Sequence, residues 1–302
     1  MNPLLPATSA RDGLNTGAAP VTYGQGERPP RGDYGRARAD YTCSQEWKRY
    51  SAAEHALYAR LYARQFSQLK DCACDEFVTS LAALDAAQKI PQLDAVSEKL
   101  YRRTRWQLVA VPGLIPEEAF FALLARRQFP VTEWLRRPEE FDYVVEPDIF
   151  HDFFGHVPLL FNPVFADYMQ AYGEGGLKAT SLTACEYLAR LYWYTVEFGL
   201  IQTERGLRIY GAGILSSGTE TRHSLTSSAA NRVAFSLERI MRSEYRIDAF
   251  QETYFVIESF EQLFRATAPD FTPIYERLKD QGTLSPSLVL PGERTFVPNP
   301  SA

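Results

Sequence analysis

The chain has little cysteine, methionine or histidine: four, three and four in 302 residues. Cys43, Cys72, Cys74 and Cys185 do not form the framework of a disulfide-stapled domain, and Cys-x-Cys at 72–74 is neither a redox Cys-x-x-Cys nor half of a zinc ribbon. Free, buried or half-buried thiols in a reducing compartment are expected. No stretch reaches the roughly 18 apolar residues of a spanning helix, and the start, MNPLLPATSARDGLNTG, lacks the apolar core of a secretion signal. The reading is cytoplasmic, with no membrane partner. Excess positive charge is also missing: 32 Lys and Arg stand against 37 Asp and Glu, a net charge of −5, so nucleic acid is disfavoured as a partner. What is abundant is apolar and aromatic surface, 45% and 13% of residues, enough at this length for a sizeable core.

Residues 1–40 carry five prolines and six glycines with almost no apolar periodicity, which predicts a disordered N-terminal tail, with a single domain over 41–302. Order is expected to begin at Thr42, where Thr42-x-x-Gln45 resembles a capping box ahead of one long helix through Leu69. Further helices are predicted near 74–89, 94–104, 116–127, 147–155, 163–172, 181–202, 233–244 and 259–267. Short β-prone pieces at 107–111, 129–132, 207–210 and 254–257 are too few for a large sheet. The fold class expected is mainly α with a few short strands. There is no internal repeat, and the proline-rich end from residue 284 has no heptads, so a monomer is expected.

Two of the four histidines lie in PDIFHDFFGHVPLL, at 151 and 156. Pro147 suits a first helical position, Asp148 the positive helix start, and Gly155 with Pro158 a helix stop. On an ideal helix, five residues put two side chains about 140° apart, too far for one ion, whereas a helix distorted or ended at Gly155 can bring His156 back towards His151. The carboxylate that would complete such a bite is Glu197, a lone acid in LYWYTVEFGL that is costly to bury without a cation or donor. Two imidazoles and one carboxylate match the facial set of non-haem Fe(II) oxygenases; zinc competes, although His-Glu-x-x-His fails because Asp152 follows His151 and the second histidine comes one residue late. The residues alone leave open that His151 and His156 are core histidines bonded to backbone carbonyls, and that Glu197 sits on a solvated face. His55 and His223 read as surface residues.

These segments, with YGAGILSS at 210–217, occur in the order and with gaps similar to those of the pterin-dependent aromatic amino acid hydroxylases, and the chain resembles that family over about 42–275. The resemblance implies a catalytic domain that uses Fe(II), a tetrahydropterin (tetrahydrobiopterin or a related pterin) and O2 to hydroxylate an aromatic ring, phenylalanine to tyrosine being the expected reaction. Tryptophan or tyrosine hydroxylation is the alternative within the family, and a zinc hydrolase on the same residues the alternative outside it. A non-catalytic helical module is disfavoured, because structural zinc sites are closed and usually hold cysteine.

The resemblance further implies that His151, His156 and Glu197 hold the iron, that Ser216 supports His151, and that Arg136 clamps the amino acid carboxylate. It assigns the pterin to the loop with Val111, Gly113 and Leu114, to Phe120, and to a wall completed by Asp152 and Tyr192. Tyr143, Trp193 and Ile247 are assigned to the substrate: Trp193 would crowd an indole, and an apolar Ile247 would leave a phenol unpaired. Two departures stand out. Animal members have Glu where Asp152 stands and Thr where Val144 stands.

Overall fold

Thr42 does not start a helix, because its backbone N–H and hydroxyl both bond to the Asp40 carboxylate and the next residue, Cys43, bridges to Ala110 through an N–H···O bond of 2.8 Å. The first long helix, α1 (Ala52–Leu69), is capped nine residues later at Ser51, where a capping box with Glu54 takes the place expected for Thr42 and Gln45. The computed structural model describes residues 31–299. Within them the expectation of a tail to residue 40 is corrected: Arg31 pairs with Glu140 at 2.6 Å and lies over the Trp134 ring, Tyr34 donates to the Leu114 carbonyl at 2.7 Å, and Arg36 pairs with Glu133 at 3.0 Å. The segment from Arg31 is a strap held by side-chain anchors, which apolar periodicity does not detect. The remainder of the expected tail, 1–30, lies outside the described residues.

Helices α2 (Asp75–Leu84) and α3 (Leu93–Thr104) lead into a right-sized βαβ unit, β1 (Gln107–Val111), α4 (Glu117–Ala125) and β2 (Gln128–Thr132). The two strands run parallel, with Val111 opposite Thr132. After the histidine segment come α5 (Pro163–Ser181), capped by Asn162, and α6 (Cys185–Tyr192). Strands β3 (Leu200–Thr203) and β4 (Gly206–Ile209) form a hairpin, followed by α7 (Ala212–Leu215), α8 (Gly218–Thr226), β5 (Asn231–Ala234), α9 (Leu237–Arg242), β6 (Thr253–Ile257), α10 (Phe260–Thr267) and α11 (Thr272–Leu278). The second sheet has the order β4-β3-β6-β5. The fold is thus mainly helical with short strands and one continuous apolar core that runs through helices and both sheets.

Two expected helices are cut by strands. The 181–202 stretch ends at Phe198, since Gly199 abuts the Tyr210 ring so closely that no side chain fits, and Leu200 and Ile201 become β3. The 233–244 stretch begins as β5, whose N–H and C=O groups pair with β6. Helices α7, α8 and α11 were not legible in the sequence. No helix among the described residues is long and apolar enough to cross a membrane, and all four cysteines are free.

Candidate active site

The two histidines share one face because the chain winds as a π-helix from His151 to His156. In that winding the hydrogen bonds run from i to i+5, so residues five apart come into near register, which an α-helix denies them. Asp148 starts the segment: it accepts the His151 N–H at 3.0 Å, and Pro147 stands one residue before this cap instead of inside the helix. Gly155 does not stop the helix but admits α7, since a Cβ there would lie 2.9 Å from the Ala212 carbonyl oxygen. The imidazole Nε2 atoms end 3.3 Å apart.

A second π-helical turn, Trp193–Glu197, continues α6 and delivers the carboxylate. Glu197 Oε1 lies 3.2 Å from His156 Nε2, and Oε2 lies 3.7 Å from His151 Nε2. The side chain is fully buried, and neither oxygen has a hydrogen-bond donor among the described residues. Such a carboxylate is several kcal/mol too costly to stand alone. Three donor atoms converging from two π-turns, with two orphaned oxygens, fit a divalent cation, and the core-histidine and solvated-glutamate alternatives fall away. Asp152 is also within ligating range, its carboxylate lying within 4.8 Å of both imidazoles, but Asp152 Oδ2 already accepts the Thr132 N–H at 2.8 Å. Burial pushes the Asp152 carboxyl up to about 6.

The other side of His151 is fixed by Ser216, whose Oγ donates to the Ala212 carbonyl at 2.9 Å and so can only accept from His151 Nδ1 at 2.8 Å. This leaves Nε2 unprotonated and facing Glu197 and His156. Burial, with His156 and Arg136 nearby, holds the His151 pKa well below the ordinary imidazole range, and the neutral ring is the form that ligates.

Arg136 is a buried partner of Asp148, with Nε and Nη2 each 2.8 Å from its carboxylate. Burial raises the Asp148 pKa, yet the guanidinium and two backbone N–H groups outweigh it and hold this carboxyl below its usual range. A cavity opens beside His151, lined by Arg136, Tyr143, Val144, Phe198, Gly213 and Glu220 among others. Tyr143 stands at its rim, 55% exposed. Trp193 is one layer behind, stacked on Tyr245 at 4.4 Å and touching Phe198, with its indole N–H on Gln251. Ile247 is not part of this wall: it is 44% exposed in the segment between α9 and β6 and does not line the cavity. Tyr245 takes the inward position, leaving Ile247 turned out.

Phe120 meets Tyr192 edge-on at 5.6 Å, and Tyr192 lies 6.2 Å from the His156 ring. Val111 pairs with Thr132, the residue that holds Asp152, which brings the end of β1 next to Asp152. The Leu114 carbonyl is engaged by Tyr34. His55 and His223 are half-buried, correcting the surface reading: His55 packs on Trp47 and accepts the Ile90 N–H, and His223 stacks on Phe250 at 4.6 Å.

Glu220 is the residue that sequence reasoning missed. Ser217-x-x-Glu220 reads as a surface capping box, and Ser217 does accept the Glu220 N–H. The carboxylate instead turns inward, where Oε1 accepts the Tyr254 hydroxyl at 2.5 Å and the Gln251 N–H at 3.2 Å.

Residues 31–274 match the family model of the biopterin-dependent aromatic amino acid hydroxylases. The phenylalanine-4-hydroxylase of Ralstonia nicotianae is 58% identical over 257 residues, 85% of this chain and 82% of that one. That of Chromobacterium violaceum is 59% identical over 242 residues, covering 80% of this chain and 82% of its own length. The iron- and phenylalanine-bound crystal structure of phenylalanine hydroxylase from C. violaceum superposes with a TM-score of 0.83 at 55% identity, over 86% of this chain and 96% of that one. The cobalt-bound crystal structure gives 0.85 at 56% identity, over 86% and 95%.

Proposed function

The chain belongs to the biopterin-dependent aromatic amino acid hydroxylases, and from that premise we infer its reaction: it is a phenylalanine 4-monooxygenase, an iron- and pterin-dependent enzyme that converts phenylalanine to tyrosine. The observation that carries the reading is the pair of orphaned Glu197 oxygens facing His151 and His156. We assign these three residues as the iron ligands, with Asp152 beside them as part of the pterin flank, because Asp152 already has a backbone donor and Glu197 has none.

Bound iron and tetrahydropterin supply O2 activation and the reducing electrons. The protein places and encloses the reactants. A metal held by His151, His156 and Glu197 would keep coordination positions free for O2 or substrate. Ser216 keeps His151 in the tautomer whose Nε2 ligates. Phe120 and Tyr192 offer aromatic faces for a pterin, and the Val111–Leu114 loop offers backbone polar groups at its edge. Arg136, locked by Asp148 through two of its nitrogens, keeps Nη1 for the carboxylate of an amino acid in the cavity. Buried rings around the centre, Phe129 and Phe198 among them, exclude water and so favour transfer of oxygen to the ring over its loss to solvent.

The test is direct. Protein stripped of metal and reloaded with Fe(II) should form tyrosine from phenylalanine with added tetrahydropterin and O2, and Zn(II) should not substitute. Turnover with zinc, or tyrosine formation without pterin, would sink the reading.

A further inference from the structure

A free amino acid carries two charges one carbon apart, and a site that binds it must answer both. Arg136 answers the carboxylate. Of the other groups on the cavity wall, Val144 has no polar side-chain atom, Ser216 is committed to His151 and Ala212, and Ser217 accepts the Glu220 N–H. Asp142 is at the exposed rim, paired with Arg64 at 2.7 Å. Glu220 is the buried anion left on this wall once Glu197 is given to the metal.

We propose that Glu220 binds the α-ammonium of the substrate through Oε2, and so makes the site selective for amino acids over other aromatic carboxylates. Its geometry is built for one more partner. Oε1 takes two donors, Tyr254 and the Gln251 N–H, whereas Oε2 has no hydrogen bond among the described residues. The two Oε1 bonds fix the carboxylate plane, so the site pays little ordering entropy when a cation arrives. The same network reaches the ring side of the pocket: Gln251 Oε1 accepts the Trp193 indole N–H at 2.8 Å, and Gln251 Nε2 donates to the Arg246 carbonyl at 2.8 Å. One loop thereby sets the position of both the ammonium partner and the indole behind the aromatic wall. Burial pushes the Glu220 carboxyl up to about 6, which still leaves it charged at neutral pH.

The inference rests on reading this cavity as the amino acid site, and the experiment separates the two. Wild type and E220Q, iron-loaded, are titrated calorimetrically with L-phenylalanine and with phenylpropanoate, which keeps ring and carboxylate but lacks the ammonium. Tyrosine formation by the wild type is measured alongside. E220Q keeps an amide oxygen for Tyr254 and Gln251, so the wall stays intact. L-Phenylalanine affinity should fall about ten- to hundredfold, the range of one charge-assisted hydrogen bond, with phenylpropanoate affinity unchanged. An equal loss for both ligands would mean that Glu220 only supports the wall, and no loss for either would mean that it does not touch the substrate; both outcomes overturn the proposal. If the wild type makes tyrosine while E220Q binds normally, this inference alone fails. If the wild type binds neither ligand, the reading of the cavity fails with it.

Discussion

His151 and Ser216 are joined by a 2.8 Å bond whose direction is settled by a second bond, from Ser216 Oγ to the Ala212 carbonyl. The serine hydroxyl has one proton, and Ala212 takes it. His151 must therefore carry its proton on Nδ1. Removing the hydroxyl in Ser216→Ala frees the ring to flip or change tautomer, so iron affinity should fall about ten- to a hundredfold while the fold persists. Competition against a chelator measures this, and an unchanged affinity would remove Ser216 from the metal site.

Glu197 makes opposite predictions for the iron-free and iron-loaded protein. Without a cation its two buried oxygens have no donors, so Glu197→Gln should leave the melting temperature of the stripped protein unchanged or raise it. Iron should raise the melting temperature of the wild type by mass action and should not raise that of the variant. A stripped variant that melts several degrees below the wild type would show that the carboxylate has a structural partner.

The strap at 31–36 is anchored on the loop proposed for the pterin, because Tyr34 bonds the Leu114 carbonyl and Trp134, under Arg31, bonds the Pro112 carbonyl. Deleting residues 2–38 should lower the melting temperature by several degrees and raise the KM for pterin, relative to deleting residues 2–30. Equal behaviour of the two truncations would mean that the strap contributes nothing.

Most of the candidate metal site could be read from the sequence because the residues proposed as ligands lie in two short aromatic segments where a histidine or glutamate has no other evident use. The winding that aligns them was not. Whether a turn closes at i+4 or i+5 depends on what packs against it, here Ala212 against Gly155, and that neighbour is 57 residues away along the chain. Strands β3 and β5 were hidden for the same reason, since four-residue strands owe their identity to β6. Glu220 was hidden because a helix-start glutamate has the same local sequence whether its carboxylate turns to solvent or to a buried tyrosine. Ile247 is the converse case: the resemblance assigns it to the substrate, whereas here it is 44% exposed and Tyr245 is the neighbour stacked on Trp193. Ile247→Asp should consequently change phenylalanine turnover less than twofold, and a large loss would place the side chain at the substrate after all.

Glu220 also predicts how stability depends on pH. Its carboxyl titrates at about 6 in the folded protein because burial penalises the charge more than Tyr254 and Gln251 relieve it, against an ordinary value of 4.5. Between these two values the folded chain holds a proton that the unfolded chain has released. Stability from this group therefore falls as pH rises through that window and stays lost above it. The shift corresponds to about 2 kcal/mol. Glutamine carries no charge to bury and keeps an oxygen for both donors. E220Q should accordingly be more stable than wild type by up to about 2 kcal/mol near pH 8, with the difference shrinking towards zero near pH 4.5. Urea denaturation of both proteins across this range measures it, and the wild-type-minus-variant difference cancels the titration of Asp152 and the other carboxyls common to both. A difference independent of pH would show that Glu220 is not charged at a cost in the folded protein, and a wild type more stable at pH 8 would show that its charge already has a partner within the chain.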